Sequence, residues 1–191
     1  MDGSTSGLTD AWATALDMAR EHRGDGLGLV GYGVAQLRDG DGLLVLERPF
    51  ANLVTDAGDL YYASKAIVGI SPANASVPTA MSGMQIGSGT TAVAKNGTGS
   101  ALVAYLAGAA FDSGYPQIAN LGAGNGVNAV YRTTYGAGAG TGNVTEAAIS
   151  SGSVTGAAAV SATISRVVFT AIAKGSNDSL SFTWNHQFKG A

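Results

Sequence analysis

The stretch "DSLSFTWNHQF" (178–188) sets Leu180, Phe182, Trp184 and Phe188 on one face and Ser181, Thr183, Asn185 and Gln187 on the other. A period of two marks a strand with one buried face. Those four apolar residues are therefore expected in the core, and His186 shares their face as an inner-face or interface residue. Upstream, "SATISRVVFTAIA" (161–173) carries Ile164, Val167, Phe169 and Ile172 in an extended segment whose phase slips once. One slip predicts a bulge, and Val167 and Phe169 join the expected core. The turn "KGSND" between these segments is expected to fold them into a hairpin.

The same alternation marks "VNAVYRTTYGAG", with Val127, Ala129, Tyr131, Thr133 and Tyr135 on one face. "SGMQIGSGTT" and "NVTEAAIS" read as short strands, while "ALVAYL" is ambiguous between strand and helix. "YGVAQL" and "LLVLE" flank "RDGDG", whose Asp and Gly suit a hairpin turn.

Helical spacing occurs twice. Trp12, Ala15, Leu16 and Ala19 recur at i, i+3, i+4 and i+7, with Thr9 as expected N-cap and Gly24 as the stop. Residues 56–68 place Leu60, Ser64 and Ile67 on one face with Asp56 as cap. The Pro-containing "GISPANASVPTA" then reads as a loop. Together these features predict a mainly β chain: a β-sandwich or jelly-roll-like domain with an N-terminal helix and a short second helix. The expected division is an N-terminal arm over 1–50 and the β-domain over 51–191, with Trp12 and Leu16 as the docking residues of the arm.

Charge supports that division. Of ten basic and thirteen acidic residues, 15 fall within 1–65 and eight within 66–191. A net charge of −3, with no basic run, argues against nucleic acid as a partner. The longest apolar run, 101–111, is about half of what a bilayer-spanning helix requires, so no membrane association is expected. There is no cysteine, and the two histidines, His22 and His186, are far apart in sequence. No metal centre or cofactor is expected from such material.

Two patterns look enzymatic. "GLGLVG" (Gly26, Gly28, Gly31) fits a dinucleotide fingerprint, and Tyr61 and Lys65 have the YxxxK spacing of short-chain dehydrogenases. A fingerprint binds pyrophosphate when its glycines lie between a strand and a helix N-terminus. Here the glycines follow a helix and enter a strand. Thirty residues between Gly31 and Tyr61 also leave room for about one βαβ unit. Both matches read as coincidence, with no catalytic residue and no enzyme. "RGD" (23–25) reads as a helix stop, D-G-D-G as a turn and not a calcium loop, and the sequons at Asn74, Asn96, Asn143 and Asn177 carry weight only in a secretory pathway.

Three segments carry a resemblance: "GSGTTA" (87–92), "TEAAI" (145–149) and "KGSNDSLSFTW" (174–184). Across roughly residues 50–191 the chain resembles structural proteins of tailed-bacteriophage virions. The resemblance implies a non-enzymatic virion protein, a capsid decoration or minor capsid protein ahead of a tail or baseplate component. Its partners would be the major capsid protein or other virion proteins, and further copies of itself. A carbohydrate- or receptor-binding β-module is the alternative, with Tyr115, Tyr131 or Tyr135 stacking on sugars.

Overall fold

The computed structural model describes residues 6–21, 29–66, 77–123 and 125–189. Gly24, Gly26, Gly28, His22, Asn74, the RGD triplet, Ile67, Val68 and most of the 69–80 loop lie outside the described residues.

The chain is mainly β, as the alternation predicts. Helix α1 (Ser6–Glu21) precedes a hairpin of β1 (Val30–Arg38) and β2 (Leu44–Val54), and helix α2 (Asp56–Ala66) follows. Then come β3 (Met81–Gly87), β4 (Tyr105–Ala110), β5 (Gln117–Asn120), β6 (Val127–Tyr135), β7 (Gly142–Ser151), β8 (Thr163–Lys174) and β9 (Ser179–Phe188). The nine strands form one antiparallel sheet in the order β4-β3-β7-β8-β2-β1-β9-β6-β5.

The sheet curls because its two halves are barely joined in the middle. Strand β2 pairs with β8 through Leu53↔Arg166 and Val54↔Ser165 alone, whereas β1 pairs with β9 along its whole length. At the far side, the end of β4 is held over β6. The Asp112 amide donates to the Arg132 carbonyl at 2.9 Å, and the Asp112 carboxylate accepts from the Thr134 amide and hydroxyl. Leu180, Phe182, Trp184 and Val167 fill the concave face with Phe50, Met84, Ile86, Ile149 and Tyr135. Burying each large side chain in such a core contributes roughly 1.5–3 kcal/mol.

Several expectations are corrected. Phe169 packs against the core only partly buried, and Phe188 is 38% exposed, because β9 runs past the rim of the curl at its last residue. The bulge expected in 161–173 is present: Val144↔Ile172 is followed by Glu146↔Val168, so β8 carries the extra residues. "ALVAYL" contributes to strand β4.

The hairpin expected at "KGSND" does not form. A tight turn is there, with the Asp178 amide bonded to the Gly175 carbonyl, but β9 pairs with β1 and β6 while β8 pairs with β7 and β2. The connection thus carries the chain from one half of the sheet to the other.

The "RDGDG" turn forms as expected. Asp39 Oδ1 accepts from the Asp41 and Leu43 amides, and Gly42 takes a φ of 82°. The cap of α2 is Thr55 rather than Asp56: its hydroxyl oxygen accepts from the Gly58 amide at 3.0 Å. Helix α1 begins at Ser6, so Thr9 lies within it.

The N-terminal segment does not stand apart as an arm. A boundary at residue 50 would cut β2 in mid-strand, and β1 is an inner strand of the sheet. Trp12, Ala15 and Leu16 pack on the convex face against Val30, Tyr32 and Ala51. The Trp12 and Tyr32 rings meet edge to face at 6.3 Å.

Candidate functional site

The rim near α2 and the junction of the two half-sheets bring the most polar chemistry into the interior. Tyr62 comes from α2, Tyr131 from β6, His186 and Trp184 from β9, Ser165 from β8 and Asn52 from β2. Register explains the meeting: Gly31 lies opposite both His186 and Asn52, and Val54 opposite Ser165. A Cβ at Gly31 would collide with the Asn52 side chain. The one described glycine of the fingerprint pattern thus serves to admit an amide, inside a strand and away from any helix N-terminus.

The proton order in this chain follows from its fixed ends. The Leu53 carbonyl can only accept, so the Ser165 hydroxyl donates to it at 3.2 Å. Ser165 Oγ then accepts from Asn52 Nδ2 and from His186 Nε2, the latter at 3.1 Å. With its proton on Nε2, His186 accepts at Nδ1 from the Tyr62 hydroxyl, and the Tyr131 hydroxyl donates to Tyr62 Oη at 2.8 Å. Trp184 Nε1 donates to Asn52 Oδ1 at 2.6 Å. Each donor atom of the chain has an acceptor.

Burial sets its charge state. Complete burial pushes the His186 pKa down to about 3, so the ring is neutral across the ordinary pH range. Desolvation raises Tyr62 well above its usual value and Tyr131 to about 12, so both stay protonated. Ser165, His186 and Tyr62 follow the order nucleophile, base, orienting group. Ser165 is fully buried, however, with its hydrogen committed to a carbonyl, so a substrate carbon cannot reach it. The chain ties β8, β9, β2 and α2 together.

Above it opens a cleft of about 440 Å3 lined by Tyr61, Tyr62, Lys65, Ile118, Tyr131 and Phe188. The Lys65 ammonium stands 5.1 Å from the centre of the Tyr61 ring, over its face. In a YxxxK pair the lysine must act at the tyrosine hydroxyl; a cation over the ring stabilises it and activates nothing.

A second buried polar cluster lies on the convex side of β7 and β8. Glu146 and Arg166 are both fully buried and form an ion pair at 2.7 Å. Glu146 Oε1 accepts from the amides of Gly89, Val103 and Ala104 at 2.9, 3.1 and 2.8 Å. Arg166 also donates to the carbonyls of Gly99 and Thr91, and Thr145 Oγ1 to that of Gly89. One carboxylate and one guanidinium thus pin both ends and the middle of segment 88–104 to the sheet. The alternation in "TEAAI" and "ISRVV" puts both charges on the face away from the core. One acidic residue in "TEAAI" and one basic residue in "ISRVV", each without another charge beside it, was the signal that could have paired them.

Two of the tyrosines expected to stack on sugars are out of reach: Tyr131 is 3% exposed and Tyr135 fully buried. Tyr115 is half-buried, in a cis peptide bond with Pro116. Among the described residues, no group of three or more His, Asp or Glu side chains is placed to hold a metal ion, and no helix is long and apolar enough to cross a membrane. Comparison of the chain with family models, with curated proteins and with solved structures found no match in any of the three.

Proposed function

We propose that this chain is a non-enzymatic structural protein of a tailed-phage virion, a capsid decoration or minor capsid protein. It would act through repeated contacts with the major capsid protein or other virion proteins and with copies of itself. The observation that carries this reading is the convergence on Glu146 of two segments of the resemblance, 87–92 and 145–149. Their polar residues fix an exposed loop and leave no open reactive group. Segment 88–104 is rich in Gly, Ser, Thr and Ala and could not bury enough of itself to stay ordered. Held by the buried pair, it presents Val93 and Val103, 38% and 41% exposed, in fixed positions. A surface ordered beforehand loses less entropy on docking, and one weak contact repeated over a symmetric shell gives a stable assembly.

Quantitative mass spectrometry of purified virions of the phage encoding the chain tests this. A ratio to the major capsid protein near a simple fraction of the lattice supports decoration. A few copies per particle, retained on isolated tails, would move the protein to the tail or baseplate. Absence from the particle would overturn the reading.

A further inference from the structure

The convex face offers a second cavity, of about 410 Å3, between α1 and strands β1, β9 and β6. One wall is Trp12 and Leu16 from the helix; the other is Tyr32, Asn128, Thr183 and Asn185 from the sheet. Register builds the polar wall: Tyr32 lies opposite Asn185 across β1 and β9, and Asn185 opposite Val130 on β6. Asn128 and Thr183 lie on the same face in the adjoining rows.

That wall holds polar groups without partners among the described residues. Asn128 is 5% exposed; its Nδ2 donates to the Tyr32 hydroxyl oxygen at 2.9 Å, and its Oδ1 is buried with no partner. Turning the amide over exchanges the two ends and leaves one of them unpaired all the same. Asn185 is 6% exposed, and among the described residues neither its amide nor the Thr183 hydroxyl makes a side-chain hydrogen bond. A buried polar atom left unpaired costs about 1–3 kcal/mol; Asn128 Oδ1 is such an atom, and with the Asn185 amide and Thr183 hydroxyl beside it the wall offers hydrogen bonds to an occupant.

We propose that this cavity binds a neutral sugar. A sugar ring has an apolar C–H face to lay against Trp12 and Leu16, and edge hydroxyls that both donate and accept. Amides and a hydroxyl can meet those hydroxyls in either sense. None of the six residues named carries a charge, so a carboxylated or cationic ligand would be desolvated without a counter-ion. The volume lies within the range of small-ligand sites, and such sites pair an apolar wall with a few placed polar groups. The reading is independent of the virion assignment and uses none of the residues that fix segment 88–104.

The test is NMR titration of the full chain with glucose, galactose, mannose and N-acetylglucosamine, with glucuronic acid as charged control and adenosine as planar control. At least one neutral sugar should shift the side-chain amides of Asn128 and Asn185 and the indole of Trp12. Asn128→Ala and Asn185→Ala should each weaken that binding at least tenfold. Asn185→Ala is the cleaner of the two, because its side chain makes no hydrogen bond among the described residues and its melting temperature should not change. The proposal is overturned if no neutral sugar shifts these signals at about 50 mM, the weak end of small-ligand affinity. It is also overturned if the two variants bind as the parent does, or if glucuronic acid or adenosine binds more tightly than every neutral sugar.

Discussion

Lowering the pH should destabilise this protein through a single buried ring. His186 is fully buried and its folded pKa is pushed down to about 3, whereas a histidine in an unfolded chain titrates near 6.5. Between those values the unfolded state binds a proton that the folded state refuses, so stability rises with pH. The contribution of the neutral ring is complete above about pH 6.5 and is lost as pH falls toward 3. The slope is about 1.4 kcal/mol per pH unit. From pH 7.5 to pH 5 the loss is about 2 kcal/mol, and it hardly changes for any folded pKa below about 4. Other groups titrate in the same range, so the measurement is a difference: urea unfolding of the parent and of His186→Gln at both pH values. The substitution should cost about 2 kcal/mol less at pH 5 than at pH 7.5, because the variant has no proton to refuse. A cost independent of pH would refute the argument. If the variant does not fold, the ring nitrogens of the parent can be followed by NMR. They should report the neutral Nε2–H form at pH 5, and a protonated ring there would be equally fatal.

Two further changes probe the other assignments. Glu146→Gln leaves the buried Arg166 guanidinium without its counter-ion and should cost about 3–5 kcal/mol in urea unfolding, with faster hydrogen exchange at the Gly89, Val103 and Ala104 amides; unchanged exchange at those three would mean that segment 88–104 is held otherwise. Trp184→Lys puts a charge at a fully buried position and removes the bond to Asn52, so cooperative folding should be lost, whereas Phe188→Ser at the rim should cost about 1 kcal/mol, well under the roughly 3–5 kcal/mol of a core phenylalanine. Thermal unfolding of both decides whether the last two apolar residues of β9 differ as their burial says.

What could be read along the chain was whatever a period of two encodes. Leu180, Phe182 and Trp184 reach the core because alternation fixes the face of a strand, and the slip within 161–173 marks a real bulge for the same reason. Partner choice is not written in that period. The "KGSND" turn would serve a hairpin equally well; instead Lys174, nearly buried, donates to the carbonyls of Gly136 and Asp178, and the turn leads into the opposite half of the sheet. Inward polar residues are lost to the same blindness. Asn52 and Ser165 look solvent-facing by type, and only their neighbours Trp184 and His186 turn them inward, Ser165 fully buried and Asn52 partly. Alternation is enough to put Glu146 and Arg166 on the face away from the core, but nothing in the strands says that segment 88–104 returns to cover that face.

The position of these buried polar groups has a common physical cause. Two residue pairs between β2 and β8 are a weak seam for a sheet of nine strands, and apolar packing alone tolerates sliding of one half against the other. Hydrogen bonds do not, because a displacement of an ångström or two breaks them and strands their donors in a dry interior. The ties gather at that seam: Asn52 to Ser165 and Trp184, His186 to Ser165, and the Thr55 hydroxyl to the Thr163 carbonyl at 2.6 Å. On the inner face of the seam the groups are neutral, which keeps the desolvation cost low. The ion pair lies one layer outward, at Arg166, where the loss of hydration is offset by backbone amides and carbonyls of segment 88–104. Register is thus set on the inner face by uncharged groups, while on the outer face Arg166, itself a seam residue, ties segment 88–104 to the sheet.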